Sequence, residues 1–413
     1  MPETSKKIPI PKSLTEGKMQ TQTETLQVHR KKDKLFIGIP KERTLQENRV
    51  ALVPTSVATL VSLGHRVVVE KGAGEKSNYS DHNFSEVGAE IAYSPESVFK
   101  ADVILKVAPP TLEEIELFKP NQILISPLHL PIISEEYIYR LRHKRVIALA
   151  MEYIQDESGS FPVVRIMSEM AGISAMLTAA DLLTTSQNDK GGGRGVLLGG
   201  ISGVPPAKVV VLGAGVVAEF ATRVAIGLGA EIRIFDNNVS KLMRVQHLVG
   251  RQLNTSTLNP IQLEKELVSA DVVIGAIHST TGRTPVIVSE EMVSKMKRGA
   301  VIVDVSIDQG GCFETSEVMS HDQPTFIKHD VIHYCVPNIA SKVPRTASIA
   351  VSNILTSILL KAGNVGSIQG LLSMHHGLRH GVYTYKGALT NEYLGRRFGI
   401  KHTDLDLLIT SQL

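Results

Sequence analysis

Three charged or titratable residues of the chain lie at or directly after stretches that predict β-strands. Arg49 lies in QENRVAL, Lys106 lies near the end of the apolar run VILKV, and His129 follows QILIS. Taken singly, such a cation is usually solvated and such a histidine usually supports the scaffold. Together at the strand ends of one sheet, they favour an anion site in which a guanidinium and an ammonium bind oxygens. An imidazole there can exchange protons near neutral pH.

A fourth candidate lies in the segment AVIVDVSID, which predicts a buried strand over residues 300–308. Asp308 ends this segment, so its carboxylate is predicted to face the crevice beyond the strand ends. Asp304 lies in the middle of the predicted strand, where a carboxylate would be buried and would need partners. We therefore expect Asp304 to have a structural role and Asp308 to belong to the site.

The segment VVVLGAGVVA places a glycine-rich turn between a predicted strand and a predicted helix. Gly213 permits the tight turn, Gly215 lets the backbone approach a pyrophosphate, and Ala218 leaves room for close helix–strand packing. The pyrophosphate is expected at the helix N-terminus, where free N–H groups favour anions. The alternative is a structural turn that binds nothing, but the strand–turn–helix context favours dinucleotide binding.

The next predicted strand ends in Asp236, 21 residues after Gly215. This spacing suits an acid that binds the ribose hydroxyls and favours NAD over NADP. Lys241 follows shortly afterwards and is compatible with a 2′-phosphate, so the preference rests on Asp236 alone.

These candidates require elements that hold them at the edges of sheets. Apolar runs alternate with helical stretches along the chain, a pattern typical of βαβ units and a parallel sheet. The sequence predicts strands at 35–40, 66–70, 101–107, 122–126 and 146–151, a second series from 208 and at 231–236, 271–277 and 300–308, and helices at 54–63, 166–186 and 347–360. Thr55 or Ser56 is expected to cap the first helix.

Two series of strands predict an α/β fold with two Rossmann-like domains that contain parallel sheets. We expect a discontinuous substrate domain over 35–165 and 341–413, with a NAD-binding domain and its linker helix inserted at 166–340. Residues 1–34 are predicted to form a flexible extension. The cleft between the two domains is the default place for an active site.

The composition of the 413-residue chain is that of a globular protein, with 43% hydrophobic and 21% charged residues. The net charge is +3, but residues 1–34 hold eight basic and four acidic side chains, so the remainder carries no basic bias toward nucleic acid. Trp is absent, which also disfavours base stacking. Cys312 and Cys335 form no disulfide framework, which suggests a cytoplasmic location. No segment predicts a membrane span, and no metal site is expected, since the pair His376 and His380 lacks the glutamate of a zinc motif.

The chain resembles the family of alanine dehydrogenases, which also includes the NAD-binding alpha subunit of nicotinamide nucleotide transhydrogenase. The resemblance covers about residues 35–411. Its motifs are IGIPKER (37–43), ENRVALVP (47–54), GHRVVVEKGAGEKS (64–77), LKV (105–107), PLHLP (127–131), MSEMAG (167–172), GGRGVLLGG (192–200), the glycine-rich turn, SIDQGGCFETS (306–316), YCVPNIASKVPRTAS (334–348) and YKGALTNE (385–392).

The resemblance implies reversible oxidative deamination of L-alanine to pyruvate and ammonia with NAD. Arg49 and Lys106 would bind the substrate's carboxylate and carbonyl oxygens, His129 would be the acid/base, and Asp308 would assist it. The resemblance also implies a cytoplasmic homo-oligomer, a hexamer, that acts on a small molecule in L-alanine catabolism. The residues expected to line the cofactor are Ser168, Gly213, Ala214, Gly215, Val216, Val217, Asp236, Lys241, Ile277, His278, Val305, Ser306, Ile307, Asp308, Val336, Pro337, Asn338 and Ile339.

Three other functions remain open at this point. A transhydrogenase alpha-type subunit would exchange hydride between nucleotides and need a membrane partner. A saccharopine-type amino-acid dehydrogenase would use another substrate on a related fold. A non-catalytic NAD sensor would bind the nucleotide without turnover.

Overall fold

Two mostly parallel α/β sheets form the protein in a computed structural model that describes residues 34–44, 46–130, 133–184, 192–279 and 282–410. The predicted fold class is therefore confirmed. The expected extension over 1–34 lies outside the described residues, apart from Lys34. The predicted domain boundaries stay a prediction, although each sheet draws its strands from a separate part of the chain.

The first sheet combines strands from the two ends of the chain. Its members are β1 (Phe36–Ile39), β2 (Arg66–Glu70), β3 (Glu90–Ala92), β4 (Val103–Leu105), β5 (Ile123–Ser126), β6 (Ile147–Ala150), β14 (Val382–Tyr385) and β15 (Ala388–Leu389). The order is β15-β14-β6-β5-β4-β1-β2-β3, and β14 pairs antiparallel with both β6 and β15, whereas the other pairs are parallel. The central strands are apolar and buried throughout, as expected for a parallel sheet that helices cover on both faces.

The second sheet uses one continuous part of the chain. Its members are β7 (Lys208–Leu212), β8 (Glu231–Phe235), β9 (Asn254–Ser256), β10 (Val272–Gly275), β11 (Val301–Asp304), β12 (Thr325–Lys328) and β13 (Val331–Tyr334). The order is β12-β13-β11-β10-β7-β8-β9, with β12 antiparallel at the edge. The strand order reverses beside β7, and such a reversal opens a crevice at the carboxyl ends of the strands.

Helices connect and cover these strands. They are α1 (Pro54–Ser62), α2 (Asp81–Glu86), α3 (Pro95–Val98), α4 (Leu112–Glu116), α5 (Glu135–His143), α6 (Pro162–Thr184), α7 (Val216–Gly227), α8 (Val239–Val249), α9 (Pro260–Ser269), α10 (Glu290–Ser294), α11 (Pro344–Val365), α12 (Ile368–Met374), α13 (His376–Arg379), α14 (Glu392–Phe398) and α15 (Leu405–Thr410). Short 3₁₀ turns cover Glu75–Ser77, Met151–Tyr153, Val305–Gln309 and Ile339–Lys342.

The two longest helices, α6 and α11, link the two sheets and pack against each other. Both are long and apolar enough to cross a membrane by length and composition alone, and about half of each apolar window is buried inside the protein. Core helices of soluble proteins have the same property. The absence of a membrane span stays a prediction.

Several local predictions need correction. Thr55 and Ser56 do not cap α1, because the helix begins at Pro54 and Val53 precedes it without a side-chain cap. Proline suits this first position because it lacks the N–H that would remain unpaired there. The strand predicted over 300–308 ends at Asp304, and a 3₁₀ turn follows. The sequence analysis also missed β3, β9, β12, β13, β14 and β15, which are short or lie toward the sheet edges.

Candidate active site

The predicted site residues follow the carboxyl ends of strands in both sheets. In the first sheet, Arg49 lies in the loop after β1, Lys106 directly follows β4, and His129 lies three residues after β5. In the second sheet, Asp308 lies in the 3₁₀ turn after β11. Because parallel strands end at one edge, each sheet presents its chemistry on one side. Contacts between these loops join the two edges.

Arg49 is the centre of a hydrogen-bond network that crosses between the two sheets. Its Nε lies 2.7 Å from Glu47 Oε1, and its Nη2 lies 2.5 Å from Glu47 Oε2 and 2.9 Å from Asn338 Oδ1. Asn338 also donates its side-chain amide to Glu47 Oε2 at 2.9 Å. Burial opposes ionisation, but the Arg49 charge and its hydrogen bonds lower the pKa of Glu47. The pair therefore stays ionised, with the Nη1 side of the guanidinium directed toward Met167.

The loop that carries Arg49 is anchored through its backbone onto α11 and onto the 3₁₀ turn that precedes it. Asn48 N–H donates to Ser341 Oγ at 3.0 Å, and Val50 N–H donates to Ser348 Oγ at 2.9 Å. Serine hydroxyls on the turn and the helix thus satisfy backbone donors that would otherwise be buried without partners. This anchoring fixes the guanidinium at the junction of the two sheets.

His129 and Asp308 lie in the electrostatic field of Arg49. Burial, and then the nearby charge of Arg49, lower the pKa of His129 below the ordinary value of 6.5. Burial raises the pKa of Asp308, whereas the Asn338 N–H at 2.9 Å and the charge of Arg49 oppose that rise. The Asp308 carboxylate remains accessible to solvent despite the dense protein around it. A neutral imidazole and a carboxyl group that holds its proton more readily than usual are suited to proton transfer near neutral pH.

Lys106 lies in a buried cluster within the first sheet's own loops, and one of its partners, Glu42, also interacts electrostatically with Arg49 and Glu47. Its ammonium lies 3.0 Å from Glu42 Oε2 and 3.1 Å from Glu114 Oε1, and its side chain is 1% exposed. Burial opposes its charge, but the two carboxylates raise the pKa of Lys106 and keep it ionised. The substrate contact predicted for Lys106 stays a prediction, and a substrate oxygen would have to replace one of these carboxylates.

The glycine-rich turn has the geometry that a dinucleotide requires. Gly213 has φ +107°, and a Cβ added there would lie 2.3 Å from the carbonyl oxygen of Ala276. A Cβ added to Gly215 would meet no described atom within 4 Å. Gly215 directly precedes α7, so the N-terminus of a 12-residue helix faces this open space. Ala218 is fully buried. These residues fit a pyrophosphate.

Asp236 is fixed at the end of β8, beside the glycine-rich turn. Its Oδ2 accepts the Ala214 N–H at 2.7 Å, and its Oδ1 accepts the Asn238 N–H at 2.7 Å. Lys241 and His278 lie near this edge as well, close enough to interact. Burial lowers the pKa of His278, and the charge of Lys241 lowers it further. An acid held at this place is suited to accept ribose hydroxyls.

The other predicted cofactor residues follow the ends of neighbouring strands or border them. Ile277 N–H donates to Ser306 Oγ at 2.9 Å, which joins the loops after β10 and β11. Ser168 lies on α6 next to Met167. Val216 and Val217 begin α7, Val305 and Ile307 lie in the turn after β11, and Val336, Pro337 and Ile339 follow β13. The structure thus gathers these residues along one edge of the second sheet, and their contacts with a cofactor stay a prediction.

Three polar residues that the sequence analysis did not select lie beside the site. Glu47 pairs with Arg49, Glu42 pairs with Lys106, and Glu152 accepts hydrogen bonds from the backbone of the His129 loop. Glu47 lies only two residues before Arg49, and Glu152 follows the apolar run IALAM. The reasoning that selected His129, a polar residue after an apolar strand, applies equally to Glu152.

Asp304 has the structural role expected for a buried carboxylate. It accepts hydrogen bonds from Ser306 N, Cys312 N and Ser316 Oγ at 3.0, 2.9 and 2.7 Å. His376 and His380 stack with ring centroids 5.3 Å apart. Among the described residues, no group of three or more His, Cys, Asp or Glu could hold a metal ion.

Two α/β sheets, with a dinucleotide-type turn at the edge of the second and a buried arginine where the two meet, are the features of a nucleotide-dependent enzyme. Two family models match the chain. The N-terminal domain of "Alanine dehydrogenase/PNT" matches residues 38–171, and its C-terminal domain matches residues 175–392. Together they cover the greater part of the chain, and the chain belongs to the alanine dehydrogenase/PNT family.

Comparison with individual proteins agrees with this family. The chain is 39% identical to alanine dehydrogenase of Bacillus subtilis (strain 168) over 89% of this chain and 96% of that protein. It is 38% identical to alanine dehydrogenase of Staphylococcus haemolyticus (strain JCSC1435) over 90% and 98%. A solved L-alanine dehydrogenase superposes with a TM-score of 0.82 at 37% identity, covering 88% of this chain and 99% of that chain.

A transhydrogenase from Sinorhizobium meliloti is also similar. It superposes with a TM-score of 0.72 at 26% identity, covering 86% of this chain and 99% of that chain. The lower identity places it further from this chain than the alanine dehydrogenases above.

Proposed function

We propose that this protein is an NAD-dependent dehydrogenase that deaminates L-alanine reversibly to pyruvate and ammonia. The observation that carries the proposal is that the charge of Arg49 acts on both His129 and Asp308, which follow strands of the two different sheets. The similarity to alanine dehydrogenases over nearly the whole chain supports the same activity. NAD bound at the glycine-rich turn supplies the acceptor for the hydride that leaves the alanine Cα.

Arg49 holds the carboxylate of the substrate in this proposal. Glu47 and Asn338 engage Nε and Nη2, so the guanidinium is held rigidly and Nη1, which lies against Met167 Sδ, is the nitrogen that serves the substrate. A charge-assisted hydrogen bond from this nitrogen is stronger than one between neutral groups. Since Asn338 of the second sheet contacts the same guanidinium, substrate and cofactor domains meet at one side chain.

His129 moves the protons of the reaction. After oxidation of the substrate, water adds to the carbon–nitrogen double bond, and the neutral Nδ1 or Nε2 of His129 takes the proton of that water. The imidazolium then protonates the amine of the resulting carbinolamine, and the imidazole so restored takes the hydroxyl proton as the carbon–nitrogen bond breaks and the carbonyl forms. The lowered pKa of His129 keeps the imidazole neutral at pH 7, which is the form that accepts a proton. Asp308 orients the water and exchanges protons with it.

We further propose a cytoplasmic homo-oligomer, a hexamer. The resemblance to the family supports the oligomer, and the two buried, unpaired cysteines, Cys312 and Cys335, suit a reducing compartment. A preference for NAD over NADP is supported by Asp236, whose position at the end of β8 favours ribose hydroxyls over a 2′-phosphate.

The test of this function is a steady-state assay with the purified full chain. NADH formation from L-alanine and NAD without any partner protein is the expected result, and the reverse reaction should consume pyruvate, ammonia and NADH. His129→Ala should lower kcat by about 10²- to 10⁴-fold while the Kd for NADH stays within about twofold. Nucleotide binding with no turnover on any amino acid would identify a sensor instead.

A transhydrogenase-type subunit is the second candidate, because the Sinorhizobium meliloti protein shares the architecture. That function predicts no NADH formation with alanine alone and hydride exchange only when a second nucleotide-binding component is added. A panel of amino and keto acids separates alanine from the larger substrates of a saccharopine-type enzyme.

A further inference from the structure

Glu152 is a carboxylate that the reaction scheme above does not use, and it contacts the backbone of the loop that carries His129. It follows β6 in the 3₁₀ turn Met151–Tyr153. Its Oε1 accepts two backbone hydrogen bonds, from Leu128 N at 2.8 Å and from His129 N at 3.1 Å. Its Oε2 is buried and has no hydrogen-bond partner in the part of the chain that the structure describes. A buried carboxylate in this position is costly and needs a reason.

The backbone conformation of His129 explains why a carboxylate is buried here. Its φ is +53°, in the left-handed region that residues with a Cβ rarely adopt. Such a conformation persists only when the surroundings fix it, and it occurs preferentially at functional sites. The two N–H groups that Glu152 binds belong to His129 and to the residue before it, so one oxygen fixes the turn that aims the imidazole.

We propose that Glu152 is a positioning residue that holds His129 in its left-handed conformation and thereby places the imidazole at the substrate. This inference rests on the role of His129 in the proposed function. Glu152 acts through the acceptor capacity of Oε1 and touches neither substrate nor cofactor. Burial raises the pKa of Glu152, which is compatible with this role because a protonated Oε2 leaves Oε1 free to accept both N–H groups.

A positioning role predicts different activities for Glu152→Gln and Glu152→Ala, whereas a general role in folding does not. Glu152→Gln keeps a carbonyl oxygen where Oε1 lies, so the amide can still accept both backbone N–H groups. Glu152→Ala removes the acceptor and leaves those N–H groups unpaired. Glu152→Asp keeps the carboxylate but withdraws it by one methylene. The exposed Glu157 provides a matched control as Glu157→Ala.

The experiment measures kcat, KM for alanine and Kd for NADH in these variants of the full chain, alone and combined with His129→Ala. We expect Glu152→Gln to keep kcat within about threefold, Glu152→Ala to lower it about 10- to 100-fold, and Glu152→Asp to lie between them. The Kd for NADH should stay within about twofold throughout. In the His129→Ala background, Glu152→Ala should cost nothing further, because its effect passes through the imidazole.

Three results would overturn the proposal. These are full activity in Glu152→Ala, an equal loss in Glu152→Gln and Glu152→Ala, and a second loss of the same size in the His129→Ala background. If Glu152→Ala does not fold, the comparison of Glu152→Gln with Glu152→Asp decides, since the amide should then be the more active. Full activity in His129→Ala alone would instead contradict the proposed function of the histidine.

Discussion

Arg49 and Lys106 are both buried cations that follow strands of the first sheet, yet their surroundings differ. Arg49 pairs with one carboxylate of its own loop, contacts Asn338 from the other sheet and lies in the field of His129 and Asp308. Lys106 pairs with two carboxylates, and its ion pairs lie entirely within the loops of the first sheet.

This difference shows how the same chemistry serves two purposes. A cation that faces two carboxylates is already neutralised and stabilises the loops around it. Arg49 shares the single carboxylate of Glu47 with the side-chain amide of Asn338, and it keeps a donor for a further anion. We therefore assign substrate binding to Arg49 first.

The largest effect is expected for Arg49→Met. Removing the guanidinium leaves Glu47 buried without its partner and takes away the anion contact, so kcat/KM for alanine should fall about 10²- to 10³-fold. Arg66→Met, which breaks the exposed pair with Glu90, is the matched control and should leave kcat/KM unchanged. An Arg49→Met enzyme with lower Tm but normal kcat/KM would show that the arginine only supports the fold.

Lys106→Met should act mainly on stability. Glu42 and Glu114 then lose the cation they share, although Glu114 keeps Arg43 at 3.7 Å, and the free energy of unfolding should fall by about 3–5 kcal/mol. Denaturant unfolding measures this change, with Lys295→Met as a control because the exposed Lys295 also faces two glutamates. The triple variant Lys106→Met, Glu42→Gln, Glu114→Gln should recover much of the loss. A raised KM with unchanged stability would support the substrate contact predicted from the sequence.

The pH dependence of kcat/KM for alanine should distinguish the two cations. The lowered pKa of His129 places the acidic limb below pH 6.5, because activity requires the neutral imidazole. Arg49→Gln removes a positive charge that disfavours the imidazolium, so the limb should move upward by up to about one pH unit. Arg49→Lys keeps the charge and should keep the limb in place, as should Lys106→Met. An acidic limb that stays in place in Arg49→Gln would show that the charge of Arg49 does not set the pKa of His129.

The smallest effects are expected in the loops that carry the two clusters. Gln46 joins the Arg49 loop to the second sheet through Asp322 Oδ2 at 2.5 Å and the His321 N–H at 2.8 Å. Gln46→Ala should raise KM for alanine about two- to tenfold with little change in Tm. Thr111 caps α4, which carries Glu114, so Thr111→Ala should lower the free energy of unfolding by about 1 kcal/mol without changing KM. A lower Tm with unchanged KM in Gln46→Ala, together with a raised KM in Thr111→Ala, would contradict the assignment of the two clusters.

The sequence predicted the two sheets because their buried strands are apolar runs with clear ends. Arg49, His129 and Asp308 could be selected for the same reason, since polar residues directly after such runs are visible in the sequence. The short strands at the sheet edges have no comparable signal, and neither does the boundary between β11 and its 3₁₀ turn. Hydrophobicity continues through that boundary, but the hydrogen bonds of Asp304 end the strand there.

The partners of these residues could not be predicted in the same way. Glu42 and Glu114 reach Lys106 from separate loops, and Asn338 reaches Arg49 from the other sheet, nearly 300 positions away. Such contacts depend on how the sheets pack. Residue type alone therefore could not show that Lys106 pairs with two carboxylates and Arg49 with one.

Pyruvate binding to the NADH-bound enzyme tests the central assignment most directly. Calorimetry on the wild type, Arg49→Met and Lys106→Met measures the affinity of each cation's pocket for the same carboxylate. We expect Kd for pyruvate to rise at least about 100-fold in Arg49→Met and by a smaller factor, about three- to tenfold, in folded Lys106→Met. Unchanged affinity in Arg49→Met together with lost affinity in Lys106→Met would contradict the account.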